Sequence, residues 1–165
     1  MSVQATQQDT YVTFQSGNEY FALKIEYVNE IIVYQEITQI PESEDYIKGL
    51  INLRGKIIPV IDVRIRFKQE PKEYTDRTCI IIINVKGTVA GLIVDKVAEV
   101  VKISEEDILE PPALGKEDKS QNQYVYGIGK VGDSVKLLLD PDRLLKDEDV
   151  SVRELTNEDA EEEGE

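Results

Sequence analysis

Short apolar runs separated by small polar turns dominate the middle of the sequence. The stretch 46–64, YIKGLINLRGKIIPVIDVR, holds two such runs on either side of Arg54-Gly55-Lys56. Their length and β-branched content predict a strand, a tight turn and a second strand. Gly55 can supply the positive φ that the turn requires. Pro59 has no amide hydrogen to donate, so the second strand is predicted to lie at a sheet edge or to carry a bulge there.

Similar patterns predict three further hairpins and a few short helical segments. Asp62 and Asp140 each precede a short amphipathic stretch, and an aspartate in that position typically caps the first helical turn. Apolar residues recur with helical spacing between Ile25 and Ile32, which predicts a helix of about two turns there. The predicted hairpins turn at residues 16–18, 86–88 and 132–133.

The sequence also repeats itself weakly. Residues 20–32, YFALKIEYVNEII, align without a gap to residues 89–101, VAGLIVDKVAEVV. The repeat predicts two halves of similar β architecture, roughly 10–67 and 78–145, which close into small barrels and could exchange strands. Because barrels of this size are filled by side chains, the groove between the halves is the predicted binding surface. Further matches pair Tyr46, Gly49 and Asp62 with Tyr124, Gly127 and Asp140.

Charge is distributed unevenly along the chain. The formal net charge is −14, and residues 146–165 contribute ten acidic and two basic residues, a net of −8. We predict that this segment is an acidic, disordered tail and that residues 1–9 form a flexible N-terminus. The rest of the chain is acidic too, which argues against nucleic acid as a partner and against insertion into an anionic membrane.

The residue types exclude several kinds of chemistry. The chain has no histidine and one cysteine, Cys79, so Ser–His and Cys–His pairs, histidine metal sites and an internal disulfide are all absent. No cofactor or metal site is predicted. A single thiol suits a reducing compartment, and no apolar run is long enough to span a membrane, so we expect a cytoplasmic protein. A β-barrel enzyme that uses carboxylates remains an alternative, and it would need a deep pocket with a raised carboxylate pKa.

The central stretch and the repeat resemble the CheW family of chemotaxis coupling proteins. The matching segments are IKGLINLRGKIIPVIDVR, VAGLIVDKV and GIGKVGDSVKLLLDPDRLL, and the resemblance covers residues 11–145 of a CheW-like domain at 10–145. It implies an all-β fold of two five-stranded, SH3-like β-barrel subdomains with a few short helices. It also implies a non-enzymatic adaptor that couples transmembrane chemoreceptors to the histidine kinase CheA. The alternative is a CheW-like scaffold of another chemosensory pathway, such as pilus-based motility.

The same resemblance implies a groove for the cytoplasmic tip of a methyl-accepting chemoreceptor. Its apolar residues would form the floor, and charges of both signs would form the rim. A second surface, whose residues the sequence does not identify, would bind the regulatory domain of CheA. From spacing alone, Arg54 also fits a surface arginine that solvates a turn. By motif position, the groove residues are Val28, Glu30, Arg54, Gly91, Val97 and Val100.

Overall fold

The computed structural model describes residues 8–41, 45–110 and 123–145. Over these ranges the chain is mostly β-strand, so the prediction of an all-β fold with a few short helices is confirmed. The strands are β1 Thr10–Ser16, β2 Glu19–Lys24, β3 Val28–Val33, β4 Ile47–Leu53, β5 Lys56–Asp62, β6 Cys79–Val85, β7 Thr88–Val94, β8 Lys96–Lys102, β9 Ile108–Leu109, β10 Val125–Val131 and β11 Ser134–Leu139.

Helical structure in the described ranges is confined to short turns. Two four-residue α-helices span Val63–Arg66 and Pro141–Leu144, and two 3-10 turns span Ile25–Tyr27 and Glu105–Asp107. None of these helices is long and apolar enough to cross a membrane. The predicted acidic, disordered tail at 146–165 and residues 1–7 of the predicted flexible N-terminus 1–9 lie outside the described ranges.

The strands form two sheets. One has the order β8-β1-β2-β11-β10-β9, and the other has the order β3-β6-β7-β5-β4. In each sheet one parallel pair, β2 with β11 or β5 with β7, joins strands from different halves of the sequence. Each sheet therefore combines strands from both halves, and the boundaries 10–67 and 78–145 remain a prediction.

Each sheet closes on itself because the chain that follows one edge strand returns along the opposite edge. After β3, Thr38 forms an antiparallel bridge with Leu50 of β4, with backbone hydrogen bonds of 2.9 and 2.8 Å. After β8, strand β9 pairs with β10. Gly49 permits the first closure, because a Cβ on this residue would lie only 2.0 Å from the carbonyl oxygen of Thr38.

The core has three parts, one inside each closed sheet and one between the sheets. The middle part is the largest and contains residues of both sheets, such as Phe14 and Leu92. Its aromatic rings form a continuous row, with centroid separations of 5.6 Å for Phe14–Phe21, 4.9 Å for Phe21–Phe67 and 5.5 Å for Phe67–Tyr124. Burying each ring stabilises the fold by about 2 kcal/mol, so this row holds the two sheets together.

The hairpins and both capped turns are confirmed. The four predicted hairpins are β1–β2, β4–β5, β6–β7 and β10–β11. The Asp62 side chain accepts hydrogen bonds from the amides of Arg64 and Ile65 at 2.9 and 3.4 Å, which caps the helix Val63–Arg66. Asp140 caps the helix Pro141–Leu144 in the same way.

The predicted helix over residues 25–32 is wrong. Only Ile25–Tyr27 forms a 3-10 turn, and the chain then continues as strand β3. The register with β6 shifts between Val28 and Glu30, which is a β-bulge. A bulge inserts one extra residue, so apolar residues on one face of the strand are separated by three positions and imitate helical spacing.

The position of Pro59 also differs from the prediction. Strand β5 lies between β7 and β4 and is not an edge strand. The register shift of the β4–β5 pair lies between Ile47 and Gly49, away from the proline. The missing donor is tolerated because the ladder between β5 and β7 starts only at Val60, one residue later.

Candidate functional site

Arg54 lies in the two-residue turn between β4 and β5. Its φ is 52° and that of Gly55 is 87°, and positive φ at both central residues is characteristic of a type I′ hairpin turn. The Asn52 side chain accepts a hydrogen bond from the Gly55 amide at 2.9 Å, which stabilises the turn. The Arg54 side chain is 69% exposed, so this turn presents a guanidinium group to solvent.

The guanidinium of Arg54 forms an ion pair with Glu30. Nη2 of Arg54 donates to Oε2 of Glu30, and the glutamate side chain is 32% exposed. An ion pair this exposed contributes roughly 0–1 kcal/mol to stability. A forked guanidinium can still bind a partner's carboxylate with its remaining donors. The pair therefore contributes little to the stability of the fold, and its main effect is to place two accessible charges of opposite sign side by side.

Val97 and Val100 lie on one face of β8. Their cross-strand partners on β1 are Phe14 and Val12, and the bulge between these pairs brings both valines to the same side. Val97 is partly buried against the core between the sheets, whereas Val100 is 59% exposed. The two residues form a graded apolar strip that runs from the core to the surface.

Val28 and Glu30 lie on opposite faces of β3. Val28 pairs with Ile83, which belongs to the core between the sheets, and Glu30 pairs with Ile82, which belongs to the core of the second sheet. The bulge between them causes this separation, because cross-strand partners share a face. Val28, like Val97, packs against the core between the sheets.

Gly91 is inside the protein rather than on its surface. It is buried in β7, and a Cβ at this position would lie 2.8 Å from Cγ2 of Ile80. Close packing beneath the sheet explains why a glycine is needed there. The structure thus brings Glu30 to Arg54 and Val97 to Val100, and it leaves Gly91 out of direct contact with solvent.

Ile31 is a further exposed apolar residue that is not among the groove residues predicted from the sequence. This residue is 41% exposed and pairs with Ile81, whose side chain belongs to the core between the sheets. In the internal repeat, Ile31 is aligned with Val100. That correspondence is the signal that could have identified it as a further exposed apolar residue on an edge strand.

A second polar centre lies at the junction of β7 and β8. Asp95 accepts hydrogen bonds from Nε and Nη2 of Arg64 at 2.8 and 2.7 Å and from the Gly17 amide at 2.9 Å. Burial by itself would raise the pKa of Asp95, but the bonds from Arg64 and Gly17 outweigh burial and lower it. Asp95 is therefore an ionised structural group and not a proton donor.

These features define an all-β protein of two closed sheets that presents exposed side chains along its edge strands and turns. The model of the CheW-like domain family matches residues 10–149. The chain belongs to the CheW family, as the resemblance in its sequence predicted.

Named relatives agree with this assignment. The chain is 34% identical to the chemotaxis protein CheW of Klebsiella aerogenes, over 86% of this chain and 84% of that protein. The crystal structure of the scaffolding protein TtCheW from Thermoanaerobacter tengcongensis is similar with a TM-score of 0.76 and 38% identity, over 84% of this chain and 92% of that one. Protein PilI of Pseudomonas aeruginosa is 27% identical over 57% of this chain and 53% of its own length.

Proposed function

We propose that this protein is a cytoplasmic signalling adaptor without enzymatic activity that couples membrane-anchored chemoreceptors to the histidine kinase CheA. The observation that carries the proposal is the β4–β5 turn, which exposes Arg54 beside Glu30. Membership of the CheW family and the likeness to a scaffolding protein support the proposal.

The chemistry of the surface suits the helical tip of a chemoreceptor. A helix docks by placing apolar side chains on an apolar strip, and charges at the rim fix its register. Val97 and Val100 supply such a strip on β8, and Val28 packs against the same core as Val97. Arg54 and Glu30 supply rim charges of both signs. Gly91 would contribute indirectly, because the absence of a side chain there allows the close packing on which the surface rests.

Weak individual contacts are sufficient for this role. Receptors and kinases in an array are held near one another, so several modest interactions combine into strong overall binding. The regulatory domain of CheA would be the second partner, on a surface that we do not assign to residues.

One alternative is a CheW-like scaffold of a pilus-based motility pathway. The similarity to PilI favours it, but both the identity and the coverage are lower than for the chemotaxis relatives. A carboxylate enzyme is less well supported. Asp62 caps a helix and accepts a hydrogen bond from the Tyr74 hydroxyl at 2.7 Å, and Asp95 is bound by Arg64, so both carboxylates have structural partners.

A pull-down tests the proposal directly. The full chain would be mixed with the CheA regulatory domain and a receptor cytoplasmic fragment, first separately and then together. Arg54→Ala should weaken capture of the receptor fragment and leave capture of the kinase domain unchanged. Lys56→Ala, which removes an exposed cation from the same hairpin, is the matched control and should affect neither. Failure of the unmodified chain to capture either partner would contradict the proposal.

A further inference from the structure

A cleft of about 250 Å³ lies beside the Arg64–Asp95 pair, between the β1–β2 turn, the segment before β6 and the start of β8. We call it the basic cleft. Its charged lining residues are Arg64, Lys72, Arg77, Lys96 and Asp95, four cations and one anion.

The single anion of the basic cleft is already neutralised. Asp95 is bound at both carboxylate oxygens by Arg64, and the side chains of this pair are each 16% exposed. Lys72, Arg77 and Lys96 form no ion pair with any carboxylate in the described part of the chain. Three unpaired cations therefore face one cleft in a protein whose net charge is −14.

The fold alone does not require this charge. By the internal repeat, Arg64 and Lys96 correspond to Asp142 and Tyr27 in the other half. Asp142 instead accepts a hydrogen bond from Lys86 at 3.3 Å. The pseudo-equivalent positions thus carry an acidic residue that is already paired and an uncharged tyrosine, so the repeat does not reproduce this concentration of cations.

We propose that the acidic segment 146–165 of the same chain docks on the basic cleft. Its net charge of −8 is complementary to the net +3 of the cleft lining. The segment starts directly after Leu145, and the carbonyl of the preceding Leu144 accepts hydrogen bonds of 3.2 and 3.0 Å from Arg66. Arg66 and Arg64 belong to the same four-residue helix, so the acidic segment begins next to an element that lines the cleft.

The tether makes such docking effective. Twenty residues can extend over about 66 Å, much more than is needed to reach from one side of a four-residue helix to the other. A ligand held by so short a connection is present at a local concentration in the millimolar range. Individually weak contacts between exposed charges are then sufficient, and they should be sensitive to salt because exposed charges are screened.

Amide chemical shifts of the ¹⁵N-labelled full chain provide the first test. The net charge of the tail would be halved, from −8 to −4, by replacing Glu158, Glu161, Glu162 and Glu163 with glutamine. At about 50 mM salt, amides of the cleft at Gly17 and its neighbours should shift relative to the unmodified chain, and about 0.5 M salt should abolish the difference. Amides of the β4–β5 turn, at Arg54 and Gly55, should not respond. Unchanged cleft amides at low salt would overturn the proposal.

Reciprocal variants provide the second test. Lys72→Gln with Lys96→Gln should shift the tail amides, whereas Lys102→Gln with Lys130→Gln, the same change of charge at exposed positions elsewhere, should not. Equal responses to both double variants would show a diffuse charge effect and would overturn docking at the cleft. Tail shifts that grow with protein concentration would instead identify the tail of a second copy as the occupant, which would overturn docking within one chain.

Discussion

Arg54 is held against Glu30 by an ion pair that links the β4–β5 turn to strand β3, across 24 residues of sequence. Arg54 lies in the β4–β5 turn and Glu30 lies on β3 of the same closed sheet. Their proximity fixes where a positive and a negative charge stand relative to each other on the surface. A partner that contacts both charges therefore binds only when the sheet is closed, because closure sets the distance between them.

Replacing Arg54 should reduce receptor-dependent kinase activation while leaving the stability of the fold nearly unchanged. Arg54→Ala should change the free energy of unfolding by less than about 1 kcal/mol, because the ion pair is exposed. Receptor-dependent kinase activation should fall by about tenfold, which corresponds to roughly 1.4 kcal/mol of lost binding. Urea denaturation and a reconstituted kinase assay measure the two effects.

A charge exchange distinguishes the partner contact from the internal pair. The double variant Glu30→Arg with Arg54→Glu retains an ion pair between the same positions, with reversed polarity. If the partner contacts the cation at the turn, coupling should remain low although stability is restored. Recovery of coupling in the double variant would show that the pair acts only by holding the sheet together.

This pair also marks the limit of what the sequence predicts. The hairpin with Arg54 follows from local rules, since alternating apolar residues flank a turn with a glycine. The bulge in β3 disturbs that alternation, so the spacing over 25–32 predicts a helix where most of the segment is a strand. Contact between Glu30 and Arg54 depends on closure of the sheet by residues distant in sequence, which no local pattern reports.

Gly49 should be much less tolerant of substitution than Gly55. The φ of Gly49 is +149°, and a Cβ there would overlap the carbonyl oxygen of Thr38, a backbone atom that cannot move without opening the sheet. Gly49→Ala should therefore destabilise the protein by at least about 3 kcal/mol. A Cβ on Gly55 would have no atom within 4 Å, so only the backbone strain of its φ of +87° remains. Gly55→Ala should therefore destabilise the protein by about 1 kcal/mol.

The repeat supplies an intermediate case. A Cβ on Gly127 would lie 3.0 Å from Cγ2 of Ile108, a side chain that can adjust. Gly127→Ala should therefore reduce the free energy of unfolding by roughly 2 kcal/mol. Urea denaturation of the three alanine variants should rank Gly49 as the most sensitive position. Equal losses for Gly49 and Gly55 would contradict the role of Gly49 in closing the sheet.

Asp95 should contribute stability that depends on pH. Its pKa is lowered in the folded protein, so the unfolded chain binds more protons in mild acid. This contribution is complete above the unfolded pKa of about 3.9 and is lost as the pH falls through the lower folded value. Asp95→Asn should cost about 2 kcal/mol at pH 7, because Arg64 loses its charged acceptor.

The same substitution should flatten the acid side of the stability curve. In Asp95→Asn the free energy of unfolding should fall less between pH 5 and 2 than in the unmodified chain. Glu106→Gln, at an exposed position, is the control and should leave the slope unchanged. If Asp95→Asn lost stability in parallel with the unmodified chain over that range, the lowered pKa would be refuted.

Arg66 connects the two halves of the repeat through a pair of matched tyrosines. Its guanidinium carbon lies 4.3 Å from the ring centroid of Tyr46 and 5.0 Å from that of Tyr124. Both rings are buried, and Nε and Nη2 of Arg66 also donate to the carbonyl of Leu144. A planar cation between two rings gains from both faces, and each such contact contributes roughly 0.5–2 kcal/mol.

Two substitutions at Arg66 should therefore differ in a defined order. Arg66→Ala should lower the free energy of unfolding by about 3 kcal/mol, since it removes both ring contacts and both hydrogen bonds. Arg66→Lys should lower it by about 1–2 kcal/mol, because an ammonium keeps the charge but not the flat, forked shape.

The control is Arg143→Ala, which removes an exposed arginine beside Asp140 and should change the free energy of unfolding by less than about 0.5 kcal/mol. Urea denaturation with an unchanged m-value would attribute these losses to the folded state. If the lysine variant were as unstable as the alanine variant, the flat, forked shape of the guanidinium and not its charge would account for the stabilisation. If the alanine variant were as stable as the unmodified chain, Arg66 would not stabilise the contact between the halves.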